Sequence, residues 1–309
     1  MIEQPIRPRA ARSSEQGIVI VAVLWLLAAL AALVMIFSVY LSSSSRALAV
    51  NDAALRAEAL VSASVELAAY QLQLAGEEGR PTQGSFRTRL DGADLAVSFV
   101  SEASRVDLNA APKELLAGLL SVLGAAEVDA REHADRIIAW RTRPAPETAA
   151  GNEAARYRAA GLLHSPREAP FAHVNELGLV AGIPPALVRR ALPFVTVFSG
   201  VSGVDVLTAQ PEVIAALPGM TPLTLRQFLN DRARLPNDPA AIASALGAAR
   251  QSAAVQKSQA YRMLINVRLP NGREIASEVV IALRNDEDPY RVLAWQNDVT
   301  TRRGAPARL

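Results

Sequence analysis

From Ile18 to Leu41 the chain reads IVIVAVLWLLAALAALVMIFSVYL, without a charged residue, a proline or a glycine. As an α-helix this stretch rises about 36 Å, against a hydrocarbon core of about 30 Å, so it is long enough to cross a membrane. Apolar positions continue beyond it at helical spacing from Asn51 to Leu74: Ala53, Leu60, Leu67 and Leu74 form a heptad series, with Val61, Val65 and Leu72 close to the same stripe. Such a stripe predicts a helix that packs against something, and barely three heptads favour a sheet of the same chain over a coiled coil. Gly76 and Gly79 end it.

The period then changes to two. FRTRL and LAVSFV flank Asp91-Gly92-Ala93 and predict a hairpin with a tight positive-φ turn. A lone hairpin is marginal in water and needs partner strands. They come much later, at AYRMLINVRL and REIASEVVIAL, joined by Pro270-Asn271-Gly272; Tyr261, Met263, Ile265, Val267 and Leu269 alternate in one, Ile275, Val279, Ile281 and Leu283 in the other. YRVLAW, Tyr290 to Trp295, adds a further strand, and the remainder to Leu309 reads as a loose tail.

Between the hairpins the pattern is helical, at Pro112 to Leu123, Glu127 to Arg141, Asn175 to Val180, Pro185 to Leu192, Pro211 to Leu217, Thr224 to Arg232 and Pro239 to Arg250. The economical organisation is an insertion, with one sheet built from both flanks of a helical domain. The expected segments are a leader over 1–17, a helix over 18–75, sheet over 84–104, a helical insert over 105–251, sheet again over 258–296 and a tail over 297–309. The fold class is α+β. Within the insert, VDLNAAPKELLAGL and VDVLTAQPEVIAAL superpose at an offset of 98 residues, matching Val106 with Val204, Asp107 with Asp205, Ala111 with Ala209, Glu114 with Glu212 and Leu119 with Leu217. Helix-start chemistry accounts for part of the match: Asn109 or Thr208 can cap, Pro112 or Pro211 suits a first turn, and the acids favour the positive end. The matched apolar residues point to two units of common descent.

Ahead of the span, Arg7, Arg9 and Arg12 outweigh Glu3 and Glu15, and a basic flank this close is retained in the cytoplasm. A cleaved secretory signal is disfavoured. Ala47-Leu48-Ala49 resembles a small-x-small site, but the apolar run exceeds the usual 7 to 15 residues and Ser42 to Arg46 intervenes. The formal net charge is +2, too small for a strong basic field, and no cysteine is present, which removes disulfides, thiol nucleophiles and thiolate metal sites.

Gly17, between a short polar leader and Ile18, resembles the leader of type IV pilins and type II secretion pseudopilins, which prepilin peptidase cuts after a Gly on the cytoplasmic side. The resemblance implies cleavage between Gly17 and Ile18, methylation of the new N-terminus, and usually Glu at the fifth mature position. Here that position is Ala22. A buried carboxylate needs a compensating neighbour, and a subunit with none above it has no use for one. The leader, the VDLN-AP-ELL opening, the PF-HVNEL segment, the VDV-TA-PEVIAAL segment and the C-terminal strands together resemble protein K of the type II secretion system. That resemblance implies a pilin-like α+β body with a SAM-like, helix-hairpin-helix-like insert and no catalysis. It also implies a place at the tip of a periplasmic pseudopilus with minor pseudopilins I and J, assembled by an inner-membrane platform. The expected location is the inner membrane, single-pass, in contact with lipid, with a cytoplasmic N-terminus and a periplasmic body.

A minor type IV pilin is a close alternative. A competing reading of another class is a membrane-tethered DNA receptor, because ELGLVAGIPPALVRRAL and IAALPGMTPLTLRQFL resemble helix-hairpin-helix units, which grip phosphate through backbone N–H groups. Here Pro184, Pro185 and Pro222 remove donors, and Arg105 to Arg250 holds 15 basic against 14 acidic residues, so no nucleic-acid partner is expected despite the pair Arg189 and Arg190. His133, His164 and His173 lack zinc-protease spacing, and no Gly-x-Ser-x-Gly elbow occurs. No cofactor is expected. Asp286, Glu287 and Asp288 are weak calcium candidates, because a run of carboxylates alone does not supply six to eight oriented oxygens.

Overall fold

The computed structural model describes residues 15–143, 150–236, 238–253, 257–284, 288–297 and 299. The chain divides into two compact units, Met1–Ala59 and Leu60–Leu309, and one helix, α1 (Glu15–Leu74), contributes to both. In the first unit, Val19–Tyr40 carries no charge, with mean hydropathy 3.0, and none of it is buried.

In the second unit, α1 lies against the sheet with Leu60, Val61, Val65, Ala68, Ala69 and Leu72. The heptad expectation fails at two places: Leu67 is 36% and Leu74 74% exposed. A straight helix drifts about 20° per seven residues, so a heptad series leaves the buried face within two or three steps. Ala68 and Ala69 take its place, and their small side chains let helix and sheet approach closely. The α1 carbonyl of Leu72 accepts from Nε of buried Arg80 (3.1 Å), which satisfies one of the orphan acceptors at a helix end. A single turn, α2 (Gly76–Gly79), follows.

β1 (Gln83–Leu90) and β2 (Ala93–Ser101) form the expected hairpin, and both central turn residues have positive φ, Asp91 at 51° and Gly92 at 74°. Among the described residues, five strands make one antiparallel sheet in the order β1-β2-β5-β6-β7, where the last three are β5 (Ala260–Arg268), β6 (Glu274–Leu283) and β7 (Tyr290–Gln296). Leu95, Val97 and Phe99 of β2 face Val267, Ile265 and Met263 of β5 across the ladder, and all six are buried under α1. Ile275 is only half-buried, since its strand is just entering the sheet.

β2 and β5 are neighbours, with Ser101 opposite Tyr261, so the insert leaves and re-enters the sheet where a hairpin loop would sit. It holds β3 (Val106–Asp107), α3 (Lys113–Val122), α4 (Glu127–Arg141), α5 (Ala150–Ala159), α6 (Pro185–Ala191), β4 (Val195–Thr196), α7 (Pro211–Ala215), α8 (Pro222–Asp231) and α9 (Pro239–Leu246). The Val174–Leu179 segment is a 3-10 rather than an α-helix, and α5 was not signalled by the periodicity. β3 pairs in parallel with β4, closing the first unit of the repeat; Val204 bridges Ala253 in parallel, closing the second.

The repeat is visible in detail. The carboxylate of Asp107 accepts from Asn109 N–H (2.7 Å) and that of Asp205 from Leu207 N–H (3.1 Å), while Ala111 and Ala209 each donate to the Asp carbonyl at 2.9 Å. These turns displace the expected caps. α3 and α7 have no side-chain N-cap; Asn109 instead bonds both the N–H (2.7 Å) and C=O (3.0 Å) of Phe171, and the Thr208 hydroxyl donates to Asp205 (2.7 Å). The second helix of each unit is followed back to the first by an arginine: Arg141 donates to the carbonyls of Leu108 (2.5 Å) and Ala111 (2.8 Å), Arg232 to that of Ala209 (2.7 Å). Equivalent positions meet where α3 and α7 touch, because Gly118 lies so close to Ala216 that a Cβ there would overlap the Ala216 carbonyl.

Candidate functional site

Three places bear on the expected role: the apolar N-terminal helix, the loop before β7 and the joint between sheet and insert. Gly17 and Ile18 fall in the first turns of α1, and Ala22 is exposed further along the same helix. The exposed apolar surface from Val19 to Tyr40 has the length and composition of a membrane span.

Asp286 and Glu287 lie outside the described residues, while Asp288 stands at the start of the return to β7. The ends of that loop are held by α1, whose Gln73 side chain donates to the carbonyls of Arg284 (3.2 Å) and Pro289 (2.6 Å). Among the described residues no group of three or more acidic or histidine side chains is arranged to hold a metal. The histidines are dispersed. His133 is buried with Nδ1 unpartnered, and burial, reinforced by Arg136, pushes its pKa down against the opposing pull of Asp129 and Glu132. His164 stands edge-on to Tyr157 and Trp140, and His173 accepts the Asn175 N–H at 3.1 Å.

The joint between sheet and insert is the most constrained polar cluster. As β2 ends, the 3-10 turn Glu102–Ser104 begins, and Ser101 accepts the Ala103 N–H at 3.3 Å. Glu102 has no exposed surface. Its carboxylate accepts Arg262 Nε (2.7 Å) and Nη2 (3.2 Å) from β5 and the hydroxyl of Thr196 from β4; Arg262 also pairs with Glu278 of β6. Burial alone would lower the Arg262 pKa, but the two carboxylates outweigh it and hold the guanidinium above its ordinary value. Arg105 is pushed the other way, chiefly by burial and by Arg262. Two bonds to backbone carbonyls continue the joint: Asp205 N–H donates to Ala103 O (2.7 Å), and the Ser258 hydroxyl to Ser199 O (2.8 Å).

Sequence reasoning missed this cluster. A signal was present: in AYRMLINVRL the alternating apolar residues leave Arg262 on the face away from α1, and a single Glu stands two residues beyond the end of LAVSFV. What no pattern could supply was that the insert returns Thr196 to the same point.

Tight positive-φ turns stand in both segments that resemble helix-hairpin-helix units and also between α3 and α4. Gly124, Gly182 and Gly219 take φ of 97°, 80° and 81° at the connections into α4, α6 and α8. Arg136 covers the Gly182 turn and donates to Ala181 O (3.2 Å), while Arg190 lies against Gly124. Each of the first two hairpins is therefore overlaid by an arginine from the other.

Residues 95–200 match the family model described as type II secretion system (T2SS), protein K. In fold, the chain is similar to one in the crystal structure of the GspK-GspI-GspJ complex from the enterotoxigenic Escherichia coli type 2 secretion system, with a TM-score of 0.54 at 18% identity, covering 78% of this chain and 94% of that one. No curated protein matches the chain in sequence. The likeness to protein K in sequence thus runs from β2 through β4, and over most of the chain the likeness to the solved structure is one of fold.

Proposed function

We propose that the chain is a minor pseudopilin of the type II secretion system. Its span holds it in the inner membrane, N-terminus cytoplasmic on account of Arg7, Arg9 and Arg12, until prepilin peptidase cuts between Gly17 and Ile18. The assembly platform then draws the mature helix into the pseudopilus, where the subunit caps the tip with pseudopilins I and J. The observation that carries this reading is the match of residues 95–200 to the protein K model in a chain that joins an apolar N-terminal helix to an antiparallel sheet.

The tip position has a physical rationale in Ala22. A subunit buried between neighbours on both sides can use a carboxylate there to meet the ammonium of the subunit above; a subunit at the end has no such partner, and a lone carboxylate in an apolar bundle would be costly. Likeness in fold to a chain of the GspK-GspI-GspJ complex from enterotoxigenic Escherichia coli supports I and J as partners.

The test is the N-terminal sequence and intact mass of the protein from membranes with and without prepilin peptidase. A peptidase-dependent start at Ile18 is expected. A start at Met1 in both strains removes the pseudopilin reading and favours a tethered helix-hairpin-helix receptor or a simple anchored module. Sedimentation of the soluble regions of I, J and this chain checks the tip separately, and three species migrating independently would remove it.

A further inference from the structure

An open sheet has two edges, and here they are built differently. β7 forms one of them. Its pairing with β6 shifts register at Val280 and Ile281, and its row facing α1 carries two large rings with their polar ends engaged. The Tyr290 hydroxyl donates to Glu66 (2.8 Å) and Trp295 Nε1 to Asn297 (2.7 Å). β1 forms the other edge. It pairs with β2 over its whole length without an irregularity, and none of its residues is buried.

The ladder fixes which groups of β1 point outward. Ser101 N–H donates to Thr82 O (2.7 Å), and the same register runs unbroken to Leu90 opposite Ala93. By the alternation of an antiparallel ladder, Gly84, Phe86 and Thr88 then bond β2, whereas Gln83, Ser85, Arg87 and Arg89 turn N–H and C=O away from the sheet. No hydrogen bond from another described residue reaches those outward groups. The row facing α1 is unfinished as well. Phe86 is only half-buried against the core, Leu90 is 46% exposed, and Gly84 offers no side chain, the Phe99 ring of β2 lying where its Cβ would be. On the opposite face a hollow of about 970 Å³, floored by Ala96, Asn266 and Ala276, opens beside Arg87 and Arg89.

We propose that β1 is where an extended strand of a neighbouring pseudopilin adds to the sheet, with apolar residues at alternate positions beside Phe86 and Leu90. This rests on the pseudopilin reading. Outward N–H and C=O groups at alternate residues are complemented by another extended backbone, and the side chains of alternate residues set which one. A row of fixed shape asks for one sequence opposite, which a structural neighbour supplies and a varied series of exported proteins does not. A second copy is disfavoured by charge. Antiparallel pairing of two copies along β1 brings Arg87 and Arg89 opposite or diagonal to the same residues of the other, and only Arg89 has a local carboxylate, Asp94 at 2.9 Å. The hollow beside these arginines leaves room for the outer side chains of the added strand.

The experiment follows amide exchange, residue by residue, in the full-length chain in detergent, alone and mixed with full-length pseudopilins I and J of the same system. Alone, the amides of Ser85, Arg87 and Arg89 are expected to exchange at least about ten times faster than those of Phe86 and Thr88; in the mixture they should slow to match. Arg87→Pro removes an outward N–H and no bond to β2, so thermal unfolding should stay as in wild type while association weakens about tenfold. Arg87→Ala, which keeps the amide, should associate as wild type. If Arg87→Pro unfolds, Ser85→Pro repeats the test. Wild-type chain that binds neither I nor J removes the pseudopilin reading, and this site with it. Association that leaves the outward amides fast overturns the site alone, as does full association of a folded proline variant. Slow outward amides in the isolated chain overturn it too, and slowing that grows with chain concentration assigns the edge to a second copy. Slowing by an exported protein but not by I and J assigns it to cargo and overturns the proposal.

Discussion

In the sheet, long and β-branched side chains at alternate positions of β2, β5 and β6 meet one face of α1, and the apolar residues enclose themselves. In the insert, leucines and alanines of short helices form a second, separate cluster, and much of the ordering is done by arginines that donate to backbone carbonyls at the ends of turns. The two cores do not merge. They are joined by Glu102, Arg262, Glu278 and Thr196, that is, by charge and direction. Hydrophobic burial is tolerant of angle, whereas a guanidinium shared between carboxylates is not. A joint of this kind fixes how the insert stands on the sheet more than it adds to the stability of either.

The largest break in that comparison comes from removing one side of the joint. Arg262→Met leaves Glu102 buried without its principal partner and is expected to cost about 3–5 kcal/mol by urea unfolding of the full chain, while the double change with Glu102→Gln recovers a good part of it. If the single change is as mild as a surface substitution, the joint is not a coupled pair. Next is the contact between the two units: Gly118→Ala should cost about 1–3 kcal/mol through overlap with Ala216, whereas Gly178→Ala, which meets only Val188 at 3.9 Å, serves as a milder control. The arginine clasps sharpen the comparison inside the insert. Arg141→Met is expected to cost about 1–3 kcal/mol and Arg232→Met less, because the first serves two carbonyls and the second one.

The smallest effect belongs to the sheet. Tyr261 is fully buried with its hydroxyl unpartnered, and burial, with a further push from Asp205 against the opposing Arg80, raises its pKa to about 12. At neutral pH Tyr261→Phe should therefore change stability by no more than about 1 kcal/mol. The sign of the alkaline effect follows from linkage: between about pH 10 and 12 the unfolded chain gives up a phenolic proton that the folded chain keeps, so stability falls as pH rises through that window. Tyr290, raised to about 12 by burial and by its hydrogen bond to Glu66, adds to the same decline. Titrated unfolding curves of Tyr261→Phe should fall less steeply there; an unchanged slope would assign the decline to other groups.

These contrasts follow how far the chain could be read from its sequence. Strands with period two and paired turn signals were legible to within a residue or two, because Asp91-Gly92 and Asn271-Gly272 leave the backbone little choice. The repeat was legible as well, since Asp107 and Asp205 begin the same turn. Three things were not. The buried side of α1 was read in heptads, and a 3.6-residue helix turned Leu67 and Leu74 outward. α5 has a weak pattern because, among its residues with described burial, Tyr157 alone is buried. The joint depends on groups from four separate strands and turns, which no local period can align.

Placing the insert where a hairpin loop would be also sets an order on folding. β2 and β5 are adjacent in the sheet but far apart along the chain, so pairing them directly means closing a very long loop. The parallel pairs at the two closures of the insert, Val106 with Val195 and Val204 with Ala253, draw that loop in beforehand. The helical units, rich in local contacts, then act as a template on which the slower, non-local ladder can close. In pulse-labelled refolding, amide protons of α3 and α4 should become protected before those of β5. The reverse order would mean that the sheet gathers its distant strands unaided.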